Sequence, residues 1–255
     1  MAAFPLMLPG TSRPPKLVVF DLDHTLIACD ATIIWTEFLY EKKIVTDPIW
    51  RQYDRDMVKS YAKGVLDIRD FCRKHAGAFR SIPEEKLHAL AQEFAKKKIA
   101  PLIFPDGKKW VKNALQANIP ACVLSASAAF IVKPIAKLFG LTDAMGIELA
   151  FKDGFCTGEI VGIPTFQEGK VERLSQRLAE AGIGFEDVLF FTDSRNDLPL
   201  AERAGYTVCV NPDAVLESSA RKNGWKVAEW KLSLRTQMTA QVDAKGVPET
   251  QTVRS

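Results

Sequence analysis

Residues 17–26 read LVVFDLDHTL, and this stretch decides the fold. Leu17-Val18-Val19-Phe20 is an apolar run of β-branched and aromatic residues, the pattern of a buried strand. It ends on two carboxylates two residues apart, Asp21 and Asp23. Two anions this close repel, and each loses hydration on burial. A cation, or a proton held on one of them, must offset the repulsion.

Downstream, residues 30 to 100 carry helical periodicity. ATIIWTEFLYEKK and LDIRDFCRKHAGAF space their apolar residues as helices do, and Trp35 and Trp50 read as the core of this segment. SIPEEKLHALAQEFAKKK opens on a capping-box pattern, Ser81 to Glu84, with Leu87, Leu90, Ala91 and Phe94 on one face. After Pro105 the rhythm becomes α/β alternation. A helix over 107–117 leads to the strand ACVLS, 121–125, and then to a helical stretch kinked or split at Pro134. A strand over 146–151 turns into a hairpin with 155–161. A helix from Gly169 to Ala181 ends at Gly182, strands follow at 187–191 and 206–210, and a last helix over 213–223 ends at Gly224.

This order predicts an α/β fold: a doubly wound, mainly parallel sheet, with a helical segment inserted just after the first strand. The expected layout is an arm at 1–15, a core of 16–29 and 101–233, an inserted helical unit at 30–100, and a mobile tail at 234–255. Placed right after the first strand end, the insertion can cover that end as a lid.

The totals narrow the class. With 47% hydrophobic and 25% charged residues the chain is not disordered throughout. A formal net charge of +3 with no long basic block argues against a nucleic-acid partner; Lys96-Lys97-Lys98 suits a solvated helix end. The five cysteines are dispersed, with no CxxC pair, which predicts buried reduced thiols and no zinc. No signal peptide or membrane-length apolar run is read, so the expectation is a cytoplasmic protein without membrane partners.

In doubly wound sheets, ligands sit at the carboxyl ends of the strands. That rule gathers Asp21 and Asp23, Ser125, Thr192 and Asp193 with Asn196 and Asp197, and the residues after Val210. Three carboxylates from separate strands, Asp21, Asp193 and Asp197, are hard oxygen ligands of the kind that suits Mg²⁺. Ser125 is expected at a helix start, where an anion is welcome, and Lys170 in the first turn of another helix. Together these are the equipment of phosphoryl transfer. Asp21 can attack phosphorus, while Asp23 can protonate the leaving oxygen and then activate water.

In this arrangement the chain resembles the haloacid dehalogenase (HAD) superfamily of phosphohydrolases. DLDHT matches its first motif, D-x-D-x-T; VLSAS matches the second, on Ser125. FQEGKVERL matches the third, on Lys170, and FFTDSRNDLPL the fourth, with Asp193 and Asp197. The helical insertion resembles a type 1 cap on a Rossmann-like core, and the nearest likeness is to the phosphoserine-phosphatase-like IB group. The resemblance implies Asp21 as nucleophile, Asp23 as acid/base and, through its carbonyl, metal ligand, with Asp193 a metal ligand and Asp197 completing the metal site. It implies Ser125 and Lys170 as stabilisers of the phosphate, with Ala126 and Asn196 beside the substrate.

There are departures from that pattern. Asp30 stands where the phosphoserine enzymes tend to carry Glu to meet the substrate amine; it equally suits the N-cap of a helix starting at Ala31. His24 replaces their usual Ser and reads as a positional or hydrogen-bonding residue, and Thr192 replaces a common Gly. Arg51, Arg55, Arg69 and Arg73 are candidates to bind a substrate carboxylate. The expected function is a Mg²⁺-dependent phosphatase, a phosphoric monoester hydrolase, acting on a small phosphorylated metabolite through an aspartyl phosphate. The alternatives are a phosphotransferase with an alcohol acceptor, or a phospho-Asp switch protein.

Overall fold

The computed structural model describes residues 13–233; most of the expected arm and the whole of the expected tail lie outside the described residues. The strand β1 (Leu17–Phe20) is fully buried and sits in the middle of a six-stranded sheet. The other members are β2 (Ala121–Ala128), β3 (Ala144–Ile147), β6 (Val188–Thr192), β7 (Tyr206–Val210) and β8 (Lys226–Ala228). β4 (Leu149–Lys152) and β5 (Phe155–Ile160) form a separate hairpin. The sheet order is β3-β2-β1-β6-β7-β8, and every pairing is parallel.

β1 reads as an unbroken apolar run because both its faces are covered. Val18 and Phe20 pack into one cluster with Val111, Ala114 and Phe130, from α5 (Pro105–Gln116) and α6 (Ala129–Lys137). Leu17 and Val19 join Val171, Leu174 and Leu178 of α7 (Glu168–Ala181) and Leu200 and Ala201 of α8 (Leu198–Ala201). α9 (Ala214–Asn223) follows β7 and ends at Gly224 in the left-handed conformation, as Gly182 ends α7. The sheet is thus doubly wound.

Between β1 and β2 lie α1 (Ala31–Glu41), α2 (Ile49–Lys63), α3 (Ile68–His75) and α4 (Glu84–Phe94). Trp35 is fully buried against Phe38, Phe94 and Phe130, so α1 is packed on α4 and on the sheet-covering α6 at once. The lysine run ends α4 in a π-helical turn, where Lys97 meets Glu93 and Lys98 meets Glu41.

Several expectations are corrected. The Ser81–Glu84 capping box does not form: the N-cap is Pro83, and the Glu84 N–H donates to the Gly154 carbonyl instead (2.8 Å). A tertiary bridge between Pro83 and Phe155 brings the chain into the helix and supplies the partner a cap would have given. The strand expected at 146–151 is two strands, one in the main sheet and one in the hairpin. α6 runs through Pro134 without splitting. β8 was not expected; it is a three-residue edge strand, too short for a periodic signal.

A buried polar contact joins three of the inserted helices. His75 Nε2 lies 3.0 Å from Thr36 Oγ1 and 3.4 Å from Asp54 Oδ1, with both titratable side chains buried. Burial lowers His75 to about 4 and raises Asp54 to about 7. Folding therefore removes a proton from His75 between pH 4 and 6.5 and adds one to Asp54 between pH 3.8 and 7. The first effect costs stability as pH falls and the second adds to it, so the two offset. Asp54→Asn removes the second. Urea unfolding should show this variant losing roughly 2–3 kcal/mol relative to wild type between pH 7 and pH 5. Parallel pH profiles for the two proteins would contradict the assignment.

Candidate active site

Asp21 directly follows β1, and its N–H donates to the Phe191 carbonyl (2.9 Å), so pairing with β6 fixes where the carboxylate stands. The chain then turns sharply. His24 adopts a left-handed backbone (φ +56°), and the N–H groups of Thr25 and Leu26 both bond the Leu22 carbonyl. This turn brings Asp23 back over the strand ends and lets Thr25 Oγ1 donate to Asp193 Oδ1 (3.2 Å).

Lys170 arrives from α7. A Cβ on Gly169 would lie 1.8 Å from the Pro164 carbonyl oxygen, so only glycine lets the preceding loop fold over the helix start. The ammonium is completely buried and bridges Asp21 Oδ1 (2.6 Å) and Asp197 (2.8 Å). Thr192 Oγ1 donates to Asp197 Oδ2 (2.7 Å). Burial alone would lower the lysine's pKa, but Asp197 and Asp21 outweigh it and hold it charged.

Asp23 is held by three donors from two elements. Its Oδ1 accepts the Ala31 N–H at the start of α1 (2.6 Å); its Oδ2 accepts Ser127 Oγ (2.8 Å) and Ser125 Oγ (3.2 Å). Burial raises it to about 6, with the Asp30 charge adding to that and the Ala31 and Ser127 hydrogen bonds opposing it. Contrary to expectation, Ser125 is not at a helix start; it lies within β2, which runs on to Ala128. Residues two apart on a strand share a face, and so Ser127 reaches the same carboxylate.

Asp21, Asp23, Asp30, Ala126, Ser127 and Asp193 line a cavity of about 520 Å³, walled on the inserted side by Ile33, Met57, Val58, Tyr61 and Phe71. His24 also lines it. Among the described residues, no lysine or arginine does. The four candidate arginines are exposed and elsewhere: Arg51 pairs with Glu37 and lies over the Tyr40 ring, and Arg55 donates to Gln52. Asp30 is an N-cap, its Oδ1 accepting from Thr32 N–H (2.8 Å) and Ile33 N–H (3.1 Å), and it lines the cavity as well.

Asn196 and Asp197 are buried off the cavity lining. Asn196 Nδ2 donates to the Tyr61 carbonyl (3.0 Å), and its Oδ1 accepts from Gln167 Nε2 (3.1 Å), which also reaches the Gly64 carbonyl (3.1 Å). The end of α2 is thereby tied to the loop after β6. The residues missed in the sequence are Ser127, Tyr61, Gln167 and Asp213, which lines the cavity while capping α9; Thr25 stands in the DLDHT motif but carried no role there. Of these only Asp213 had a readable signal, an acid just ahead of a helical run at a strand end that had been singled out.

The donors fit a hard divalent cation. Asp21 and Asp197 share one ammonium, and Asp193 feels the Lys170 charge without an ion pair to it. Burial raises Asp21 to about 7, Lys170 opposing and Asp197 and Asp23 adding; burial, Asp21 and Asp197 raise Asp193. A divalent ion would supply the missing positive charge. Among the described residues no three metal-binding side chains converge on one point. A divalent ion here would need further oxygen donors from the backbone, water or a phosphate.

The haloacid dehalogenase-like hydrolase family matches residues 18–202. The chain belongs to that family. A histidinol-phosphatase of Neisseria meningitidis is 36% identical over 220 residues, covering 85% of this chain and 99% of that protein. Phosphoserine phosphatase SerB1 of Mycobacterium tuberculosis is 27% identical, covering 90% of this chain and 77% of that one. Among solved structures, a Bordetella pertussis protein of unknown function superposes with a TM-score of 0.75 at 32% identity, over 83% of this chain and 96% of its own. A phosphoserine phosphatase solved as a phospho-aspartyl intermediate analogue gives 0.63 at 21% identity, over 89% and 99%, which establishes a shared fold. The chain is a hydrolase of the phosphoric monoester class. None of its described helices is long and apolar enough to cross a membrane.

Proposed function

We propose that this enzyme is a Mg²⁺-dependent phosphatase of small phosphorylated metabolites that works through an aspartyl phosphate on Asp21. The observation that carries this reading is the Asp21–Lys170 contact, 2.6 Å long and buried, at the floor of a cavity that also holds Asp23. Residues 30–100 act as a cap over a core of 16–29 and 101–233. Asp21, Asp193 and the Asp23 carbonyl would hold Mg²⁺, which would offset charge on the phosphoryl oxygens. Lys170 orients Asp21 and stays charged throughout; Asp197 serves as its second anchor, a different part from the metal ligand the sequence reading assigned. Ser125 and the backbone at Ala126 flank the phosphoryl group.

In the first step a lone pair of Asp21 forms the bond to phosphorus while the bond to the leaving oxygen breaks. Asp23 gives that oxygen a proton. In the second step Asp23 takes a proton from water as its oxygen attacks phosphorus and Asp21 leaves. The position of Asp23 near 6 supports one residue serving as acid and then as base at neutral pH. Five buried, unpaired cysteines favour a reducing compartment such as the cytoplasm. Assay with p-nitrophenyl phosphate tests the reading. EDTA should stop turnover and Mg²⁺ restore it; full activity in EDTA would contradict the metal assignment.

The cavity supports an amine-bearing substrate without a carboxylate. Its lining has acids, apolar walls and His24, but no lysine or arginine to receive a carboxylate. The Neisseria relative's name makes histidinol phosphate the first ester to test, ahead of phosphoserine. Asp30→Asn keeps an N-cap of equal quality but removes the charge. It should lower kcat/KM on the amine ester by about 1–3 kcal/mol, leaving p-nitrophenyl phosphate and Tm nearly unchanged. Equal losses on both esters would leave Asp30 as a helix cap alone.

A further inference from the structure

We infer that Ser127, backed by Thr32, is a positioning residue that holds the Asp23 carboxylate in line with the leaving oxygen; this rests on the acid/base reading of Asp23 given above. Ser125 is the hydroxyl the sequence motif singles out, yet its contact with Asp23 is the longer one, 3.2 Å against 2.8 Å for Ser127. Ser125 is further committed, since its Oγ accepts the Ser127 N–H (3.0 Å) and its carbonyl accepts Thr165 Oγ1 (2.5 Å). Ser127 Oγ lies 3.3 Å from Thr32 Oγ1, and both residues are buried and line the cavity. Ser127 has one proton, which goes to Asp23, so Thr32 donates to Ser127.

The consequence is a clamp built from two elements. α1 holds Asp23 Oδ1 through the Ala31 N–H and steadies Ser127 through Thr32, whose own N–H is fixed by Asp30. β2 holds Oδ2 through Ser127. A proton donor is effective only when its oxygen is fixed toward the atom it serves, and small misplacements cost large factors in rate. A hydroxyl also suits this place chemically, because it can donate to a carboxylate and accept from a carboxylic acid. An N–H donor could serve only the first.

The test uses the dependence of kcat/KM on the leaving group, since that constant reports the step in which the leaving oxygen departs. An alkyl phosphate needs its oxygen protonated; p-nitrophenolate leaves without help. The variants are Ser127→Ala, Thr32→Val, the double variant and Asp23→Asn, each assayed with Mg²⁺ on 2-aminoethyl phosphate and on p-nitrophenyl phosphate. Ser127→Ala should lose about 10–100-fold on the alkyl ester and no more than about threefold on the aryl ester. Thr32→Val should lose about 3–10-fold on the alkyl ester, and the double variant no more than Ser127→Ala, because Thr32 acts through Ser127. Equal losses on both esters, or fully additive losses in the double variant, would overturn the clamp. Asp23→Asn separates the two readings. If it too shows no preference between the esters, the acid role of Asp23 fails; if it discriminates and Ser127→Ala does not, only the clamp fails. Thr32→Val keeps shape and volume, so it carries the test should Ser127→Ala fold poorly.

Discussion

Asp21→Asn is expected to abolish turnover, a loss of at least about 10⁴-fold in kcat, the scale seen when a nucleophile is removed. An amide oxygen is a poor nucleophile and a weaker ligand for a hard cation, so both the covalent step and the metal site are damaged together. The fold should survive the change. Lys170 keeps its ion pair with Asp197 at 2.8 Å, and an amide carries no net charge that burial would penalise. Circular dichroism and a thermal melt close to those of wild type, alongside an inactive enzyme, are the expected pair of results. Near-normal turnover by this variant would remove the covalent mechanism.

The second large effect is on stability. Lys170→Met should destabilise the protein by about 3–5 kcal/mol, because it leaves Asp21 and Asp197 buried together without their cation. That is a large part of the stability of a typical domain. The loss has a pH signature. Without the ammonium, the folded-state pKa of Asp21 rises further above the unfolded value of 3.8. A raised carboxyl contributes stability below its unfolded pKa that is lost as pH rises through its folded pKa. The variant should therefore unfold more easily in urea at pH 8 than at pH 5 when each is compared with wild type. Adding Asp197→Asn should recover part of the loss, since one of the two stranded charges is gone. An equal deficit at both pH values would show that packing of the lysine stem, and not charge, is what the substitution removes.

What could be read from the sequence was whatever a local pattern and a strand-end rule carry together. Leu17–Phe20 followed by two acids placed the central strand and its site, and Gly169-Lys170 stood where a helix had to begin. The parallel sheet followed from strands alternating with helices. The misses share one physical cause, partners that lie far away in the chain. Ser127 looked like one small residue among several because β2 was expected to stop at Ser125; only a strand two residues longer turns it toward Asp23. Ser81 was a plausible cap, but a bridge to Phe155 supplied the helix start with a partner 70 residues on. Gln167 and Asn196 hold the end of α2 through backbone carbonyls of Tyr61 and Gly64, contacts without a side-chain signature. Asp30 was legible in both of its parts, cap and cavity wall, and the structure places it in both.

The central claim is a covalent intermediate on Asp21, and chemical trapping tests it most directly. Asp23→Asn should slow hydrolysis of the intermediate more than its formation when the leaving group is p-nitrophenolate, so phosphoenzyme should accumulate. The variant is mixed with Mg²⁺ and p-nitrophenyl phosphate and quenched in acid. Borohydride then reduces any acyl phosphate to the alcohol, and the peptide containing residue 21 is sequenced by mass spectrometry. The account predicts homoserine at position 21, dependent on substrate and absent from Asp21→Asn. Unmodified Asp21 in an enzyme that has just released p-nitrophenolate in a burst, or homoserine at another position, would contradict it.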